Sequence, residues 1–219
     1  MAIIKGFIFD LDGVLVDTAK YHYQAWRRMA NELGFDFSEK DNEQLKGVGR
    51  RDSLEKILGW GKVTLLEEEK EKLMAKKNEW YQELIKTMTP ESTLPGVNKF
   101  LDSSRDMSLT LALASSSKNA PRILELTELT SYFETVVDGT QITHSKPDPE
   151  IFLTAAERLA LEPAELVVFE DAQAGIEAAI EGGFRNVGIG SKKSLSEAEM
   201  VFKGLSETTP AEVINRLNF

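Results

Sequence analysis

Three short apolar runs, at residues 7–9, 109–114 and 166–169, each break off into a dense polar cluster. This repeated pattern constrains the fold more than any other feature of the chain. Each run has strand length and no helical period, as expected for strands of a parallel sheet covered on both faces. Amphipathic helical segments follow near residues 120–129, 149–161 and 173–182, and Val187-Gly188-Ile189 reads as one more strand. Strand and helix alternate, which predicts an α/β fold with a doubly wound, Rossmann-like parallel sheet.

Residues from about 18 to 86 interrupt the alternation and read as helices only. Ala25, Trp26, Met29, Ala30 and Leu33 recur at helical spacing and stop at Gly34. Further helices fit residues 54–58 and 65–85, and Trp60 and Trp80 read as core residues of this region. The charge run from Glu67 to Lys72 mixes signs and reads as a solvated helix face. The stretch 87–96, with Pro90 and Pro95, returns the chain to the α/β pattern. The expected organisation is a core domain of residues 1–15 and 90–219 and an all-helical cap of residues 16–89, inserted after the first strand. Two connecting segments would give the cap a hinge.

The clusters after the strands are Asp10-Leu11-Asp12-Gly13, Ser115-Ser116-Ser117-Lys118-Asn119, and Glu170-Asp171 with Gly175 beyond it. Ligands of open α/β sheets sit past the carboxyl ends of strands. One Asp-x-Asp alone could be a turn, and Glu170-Asp171 alone could be a helix-start pair. Three clusters at three strand ends point to one site. Asp10, Glu170 and Asp171 crowded together would repel and raise one another's pKa, and a hard cation such as Mg²⁺ relieves that. Serine hydroxyls, helix-start amides and Lys146 suit a phosphate. Residue chemistry alone therefore reaches Mg²⁺-assisted phosphoryl transfer.

Composition removes competing classes. The absence of cysteine excludes disulfides, thiolate metal sites and cysteine nucleophiles, and it fits a reducing, cytoplasmic setting. The two histidines, His22 and His144, are too few for a three-histidine zinc site, and His144 reads as a surface residue. A formal net charge of -10 disfavours nucleic acid and anionic membranes as partners. The apolar start is broken by Lys5 and Gly6, and the longest uncharged stretch, residues 107–117, is too short to span a bilayer, so neither a targeting signal nor a membrane segment is expected.

The run Asp10-Leu11-Asp12-Gly13-Val14, Ser115 after a strand, Lys146-Pro147, and Glu170-Asp171 followed by Gly175-Ile176 together resemble the haloacid dehalogenase superfamily of phosphoryl-transfer enzymes, in its helical-cap subclass. Asp17-Thr18, His22, Leu45 to Arg50, Asp52-Ser53-Leu54, Lys76-Lys77-Asn78 and Ala112 to Asn119 are similar to its β-phosphoglucomutase branch. The likeness runs from about Lys5 to Gly190 and is weakest in the C-terminal tail.

That resemblance implies a nucleophilic Asp10 and an acid/base Asp12, with Thr18 at the hinge beside it. It implies one Mg²⁺ on Asp10, Asp12 (through its carbonyl), Glu170 and Asp171. Ser115 and Lys146 would hold the transferring phosphoryl group. Arg50, Ser116, Ser117, Lys118 and Asn119 would face the other phosphate, and His22, Gly47, Val48 and Lys77 would line the cap side. The implied partner is a phosphorylated hexose, isomerised through a 1,6-bisphosphate that also serves as activator, by a monomeric enzyme. A sugar-phosphate phosphatase with the same nucleophile is the alternative, and a non-catalytic phosphosugar sensor a third class. Gly49 stands where that branch usually has a small hydroxyl residue, and Lys146-Pro147-Asp148-Pro149 is closer to the general phosphatase form. Lys76 fits the helical spacing almost as well as Lys77, and Arg51 adjoins Arg50. Only the resemblance selects between these neighbours, and a packed core histidine is the alternative reading of His22.

Overall fold

A computed structural model describes residues 3–217. At its centre lies a six-stranded sheet, parallel throughout, in the order β3-β2-β1-β4-β5-β6. The strands are β1 (Gly6–Phe9), β2 (Thr110–Ser115), β3 (Thr135–Asp138), β4 (Leu166–Glu170), β5 (Arg185–Ile189) and β6 (Met200–Phe202). Between β1 and β2 come α1 (Ala19–Glu32), α2 (Glu39–Glu43), α3 (Arg50–Gly61), α4 (Glu67–Ile85) and α5 (Val97–Asp106). The remaining helices are α6 (Ala120–Leu126), α7 (Glu150–Leu159), α8 (Gln173–Glu181) and α9 (Pro210–Leu217). The doubly wound α/β fold with a helical insert after the first strand is as expected.

Alternation along the central strands sorts side chains by size. Phe7, Phe9, Leu111, Leu113, Val167 and Phe169 face one side and pack against Phe100 and Leu101 of α5, Ile123 and Leu124 of α6, and Val213 and Leu217 of α9. Phe9 stacks on Phe169 with ring centroids 4.8 Å apart, and Phe7 and Phe100 meet the same ring edge-on at 5.1 and 5.3 Å. The opposite face carries Ile8, Ala112, Ala114 and Val168, against Phe152, Ala155 and Ala156 of α7 and Ala178 and Ala179 of α8. Its many small residues let those helices lie close to the sheet.

Helices α1 to α4 enclose a separate apolar cluster of Trp26, Met29, Phe37, Leu54, Ile57, Leu58 and Met74. The tryptophan in its centre is Trp26, 3% exposed. Trp60 does not belong there: it is 40% exposed and stacks loosely on Phe37. Trp80 is half-buried between this cluster and the sheet core. The run Glu67 to Lys72 is exposed apart from half-buried Lys70, and Arg51 and Lys70 knit it to Glu55 of α3. Tyr21 and Ala25 at the start of α1, and Tyr81 and Ile85 at the end of α4, join the sheet's own core. The two connections run side by side, since Val16 bridges Thr93 and the Leu94 amide donates to the Leu15 carbonyl at 2.8 Å. Among the described residues no helix is long and apolar enough to cross a membrane.

Candidate active site

The chain winds outward from β1 to β2 and β3, then returns to the other side of β1 as β4, so the winding reverses between β1 and β4. A crevice forms at such a reversal, beyond the carboxyl ends of the strands. Here it is a cavity of about 550 Å³, floored by the strand ends and roofed by the helical insert. Asp10, Asp12, Thr18, His22, Gly47, Val48, Arg50, Lys77, Ser115, Ser116, Ser117, Lys118, Asn119 and Asp171 all line it. Glu170 and Lys146 lie just beneath its floor, fully enclosed.

The floor is an acidic cluster around one ammonium group. Lys146 Nζ donates to Asp10 Oδ1 at 2.6 Å and to Glu170 Oε2 at 2.8 Å. Burial alone would lower the pKa of Lys146, but the charges of Asp10 and Glu170 outweigh it and hold the lysine above its usual range. The Asp12 amide donates to Asp10 Oδ2 at 2.9 Å. Carboxylate oxygens of Asp10, Glu170 and Asp171 lie within 4.8 Å of one another. Burial raises the pKa of Glu170, with Lys146 opposing and Asp10 adding; burial, then Glu170 and Asp10, raises that of Asp171. Three carboxylates against one lysine leave excess negative charge, and an all-oxygen donor set of this kind suits a hard divalent cation.

Two glycines are demanded by close approach. Gly13, at φ +79°, has Asp171 where a side chain would begin, and Gly175 of α8 has the Glu170 carboxylate there. The first turn of α8 can thus lie directly on Glu170, and the Ala172 amide donates to Glu170 Oε1 at 3.1 Å.

Asp12 borders the cavity and is half-buried. Burial, and then the charge of Asp10, push its pKa up to about 7, with the Thr18 hydroxyl pulling the other way. Thr18 is fully buried at the N-cap of α1, yet its side chain makes no capping bond; it donates to Asp12 Oδ1 instead.

The other polar groups form two facing walls. On the core side, Ser115 closes β2, its hydroxyl accepts from the Ser117 amide at 3.2 Å, and the Ser117 hydroxyl accepts from the Asn119 amide at 3.3 Å. Ser116 Oγ is buried with no hydrogen-bond partner among the described residues, and Lys118 stands exposed at the rim. On the insert side, the structure separates Lys77 from its neighbour. Lys77 is 2% exposed, with Nζ 3.0 Å from His22 Nδ1 and 4.2 Å from the centre of the Trp26 ring. Lys76 points outward to Glu32 at 2.7 Å. Burial, then the charge of Arg50, hold Lys77 well below its usual pKa; burial, then Lys77 and Arg50, do the same to His22. His144 is exposed beside Glu150, as a surface residue should be.

Arg50 and Arg51 are separated as well. Arg51 pairs outside with Glu55, Glu67 and Glu71, whereas half-buried Arg50 pairs with no carboxylate among the described residues and donates only to Asn78 Oδ1, at 2.8 Å. Asn78 and Lys46 fell within segments matched by the resemblance but were given no individual role by the sequence. Lys46 Nζ reaches 3.9 Å from Asp171 Oδ2, across the interface between insert and core. The loop bearing Lys46 is seated on the core: a side chain at Gly47, φ +71°, would meet Ala172, and one at Gly49 would meet Ser145.

Residues 4–183 match the family described as haloacid dehalogenase-like hydrolase, and the chain belongs to that family. It is 42% identical over 208 residues to the β-phosphoglucomutase of Bacillus subtilis, covering 94% of this chain and 92% of that one. It is 32% identical over 219 residues to a phosphorylated carbohydrates phosphatase of Thermotoga maritima, covering 98% of each. The crystal structure of a β-phosphoglucomutase from Clostridium difficile superposes with a TM-score of 0.96 at 37% identity, over 99% of this chain and 98% of that one.

Proposed function

We propose that the protein is a β-phosphoglucomutase, interconverting β-glucose 1-phosphate and glucose 6-phosphate. One feature supports this reading beyond the family: two groups of residues suited to anions line the cavity and would serve as two phosphate-binding ends. Ser115 and Lys146 stand at the acidic floor, while Arg50, Ser117, Lys118 and Asn119 stand along the walls. A phosphatase needs the first end only. An intermediate with two phosphates that turns round needs both. The likeness to two β-phosphoglucomutases supports the same choice.

In this reading an Asp10 carboxylate oxygen attacks phosphorus and forms an aspartyl phosphate, the sugar oxygen leaving with a proton from Asp12. In the reverse direction Asp12 takes the proton of the attacking sugar hydroxyl. A pKa near 7 serves both directions at neutral pH. Lys146 and Ser115 hold the transferring phosphoryl group. Thr18 fixes the Asp12 carboxyl toward the sugar. Arg50, Ser116, Ser117, Lys118 and Asn119 grip the far phosphate, and His22, Gly47, Val48 and Lys77 enclose the sugar from the insert. Residues 16–89 act as a cap that excludes water, so the aspartyl phosphate waits for a sugar hydroxyl. Asp10, the Asp12 carbonyl, Glu170 and Asp171 would hold one Mg²⁺, which when bound neutralises charge among the nucleophile and phosphoryl oxygens. A cysteine-free acidic monomer in the cytoplasm completes the reading.

Hydrolysis of a sugar phosphate is the second reading, favoured by Asp148 after Lys146-Pro147 and by the phosphatase relative. Arg50→Ala separates the two. Isomerisation should fall about a hundredfold or more in kcat/KM, while hydrolysis of p-nitrophenyl phosphate should fall only a few-fold. Equal losses in both would contradict the two-ended site.

A further inference from the structure

Half-buried Asn78 of α4 sits where insert and core meet, and its side-chain oxygen takes two donors. Arg50 Nη2 reaches it at 2.8 Å from α3, and Asn119 Nδ2 at 3.0 Å from the core loop after β2. Asn119 Oδ1 in turn accepts from Gln82 Nε2 at 3.1 Å, one turn along α4. The polarity of this chain is fixed by Arg50. A guanidinium is donor-only, so Asn78 must turn its oxygen to it; Asn119 must then turn its amide nitrogen to that oxygen and its own oxygen to Gln82. Asn119 also forgoes the ordinary use of its position. It is the N-cap of α6, yet its side chain makes no capping bond and reaches across to the insert.

We infer that Asn78 is the positioning residue of the far-phosphate subsite. Arg50 and Asn119 come from opposite sides of the cavity, and a phosphate can be gripped by both only if the insert closes to one fixed distance. Asn78 sets that distance, because a single neutral oxygen has to satisfy both donors. Neutrality is essential: an amide oxygen orients Arg50 without repelling an arriving phosphate, whereas a carboxylate in its place would orient Arg50 equally well and oppose the anion. Arg50 keeps further N–H donors free for the ligand. The inference rests on the proposed far-phosphate role of Arg50 and Asn119, and it gives a role to a residue that itself needs no contact with the sugar.

The test uses full-length protein with Asn78→Asp, Asn78→Ala and Arg50→Ala, each measured for kcat and KM with β-glucose 1-phosphate. Asn78→Asp, nearly isosteric, should raise KM by about tenfold or more with kcat changed less than about threefold, and Asn78→Ala should raise KM by a smaller factor. KM unchanged in both Asn78 variants, with KM raised by Arg50→Ala, would overturn the inference and leave the far-phosphate subsite standing. Unchanged KM in all three would overturn both. A fall in kcat at constant KM would also overturn the positioning role.

Discussion

Asp12 is half-buried beside Asp10, and Thr18 supplies the hydrogen bond that opposes the resulting upward shift. Thr18 favours the ionised carboxylate, so removing its hydroxyl must raise the Asp12 pKa above about 7. Thr18→Val should therefore move the acidic limb of the kcat/KM profile to higher pH, because in the proposed mechanism Asp12 must be ionised to take the sugar proton. Helix α1 loses no cap by this change, since the Thr18 side chain does not cap it. A limb that stays in place would show that Asp12 is not the group it reports. At this scale the sequence identified every charged group of the floor. It did not resolve neighbours on one helix: Lys76 and Lys77 both fit an apolar stripe, and only the position of α4 over the cavity puts Lys77 inside and Lys76 on Glu32. Asn78 lay within a segment similar to the family but carried no signal of its own, because its importance lies in contacts from two other elements.

Among the elements, α8 is tied most tightly to the chemistry. Its first turn lies on Glu170 because residue 175 has no side chain. Gly175→Ala should displace the Glu170 carboxylate and weaken Mg²⁺ binding, measured by calorimetry, by about tenfold or more. Unaltered Mg²⁺ affinity would mean that the glycine serves packing alone. Legibility of the elements followed their place in the sheet. β1, β2 and β4 are covered on both faces and show as unbroken apolar runs. The edge strands β3 and β6 are short, and Thr135-Val136-Val137-Asp138 holds only two apolar residues, so neither was recognisable. Helix α2 is too short to show a period and is held by a Ser38–Asp41 capping box. Trp60 lies three positions past buried Ile57, at the border of the buried stripe and in the last turn of α3, so helical spacing did not mark it as exposed.

For the molecule as a whole, the charge of -10 and the proposed phosphate-binding cavity are reconciled by placement. Arg50, Lys77 and Lys146 are withdrawn from the surface into the site, while the surface keeps its carboxylates. The resemblance anticipated an insert over the sheet. The seating of insert on core was not legible, because Gly47 against Ala172, Lys46 near Asp171, and Asn78 against Asn119 pair residues far apart in the chain. That seating underlies the central claim, that the phosphoenzyme is kept from water until a sugar hydroxyl arrives. The direct measurement incubates the wild-type protein with β-glucose 1-phosphate, Mg²⁺ and a trace of the 1,6-bisphosphate, following glucose 6-phosphate and inorganic phosphate together. The account predicts glucose 6-phosphate as the dominant product, with inorganic phosphate released far more slowly. Phosphate release without glucose 6-phosphate would contradict it and make the protein a phosphatase.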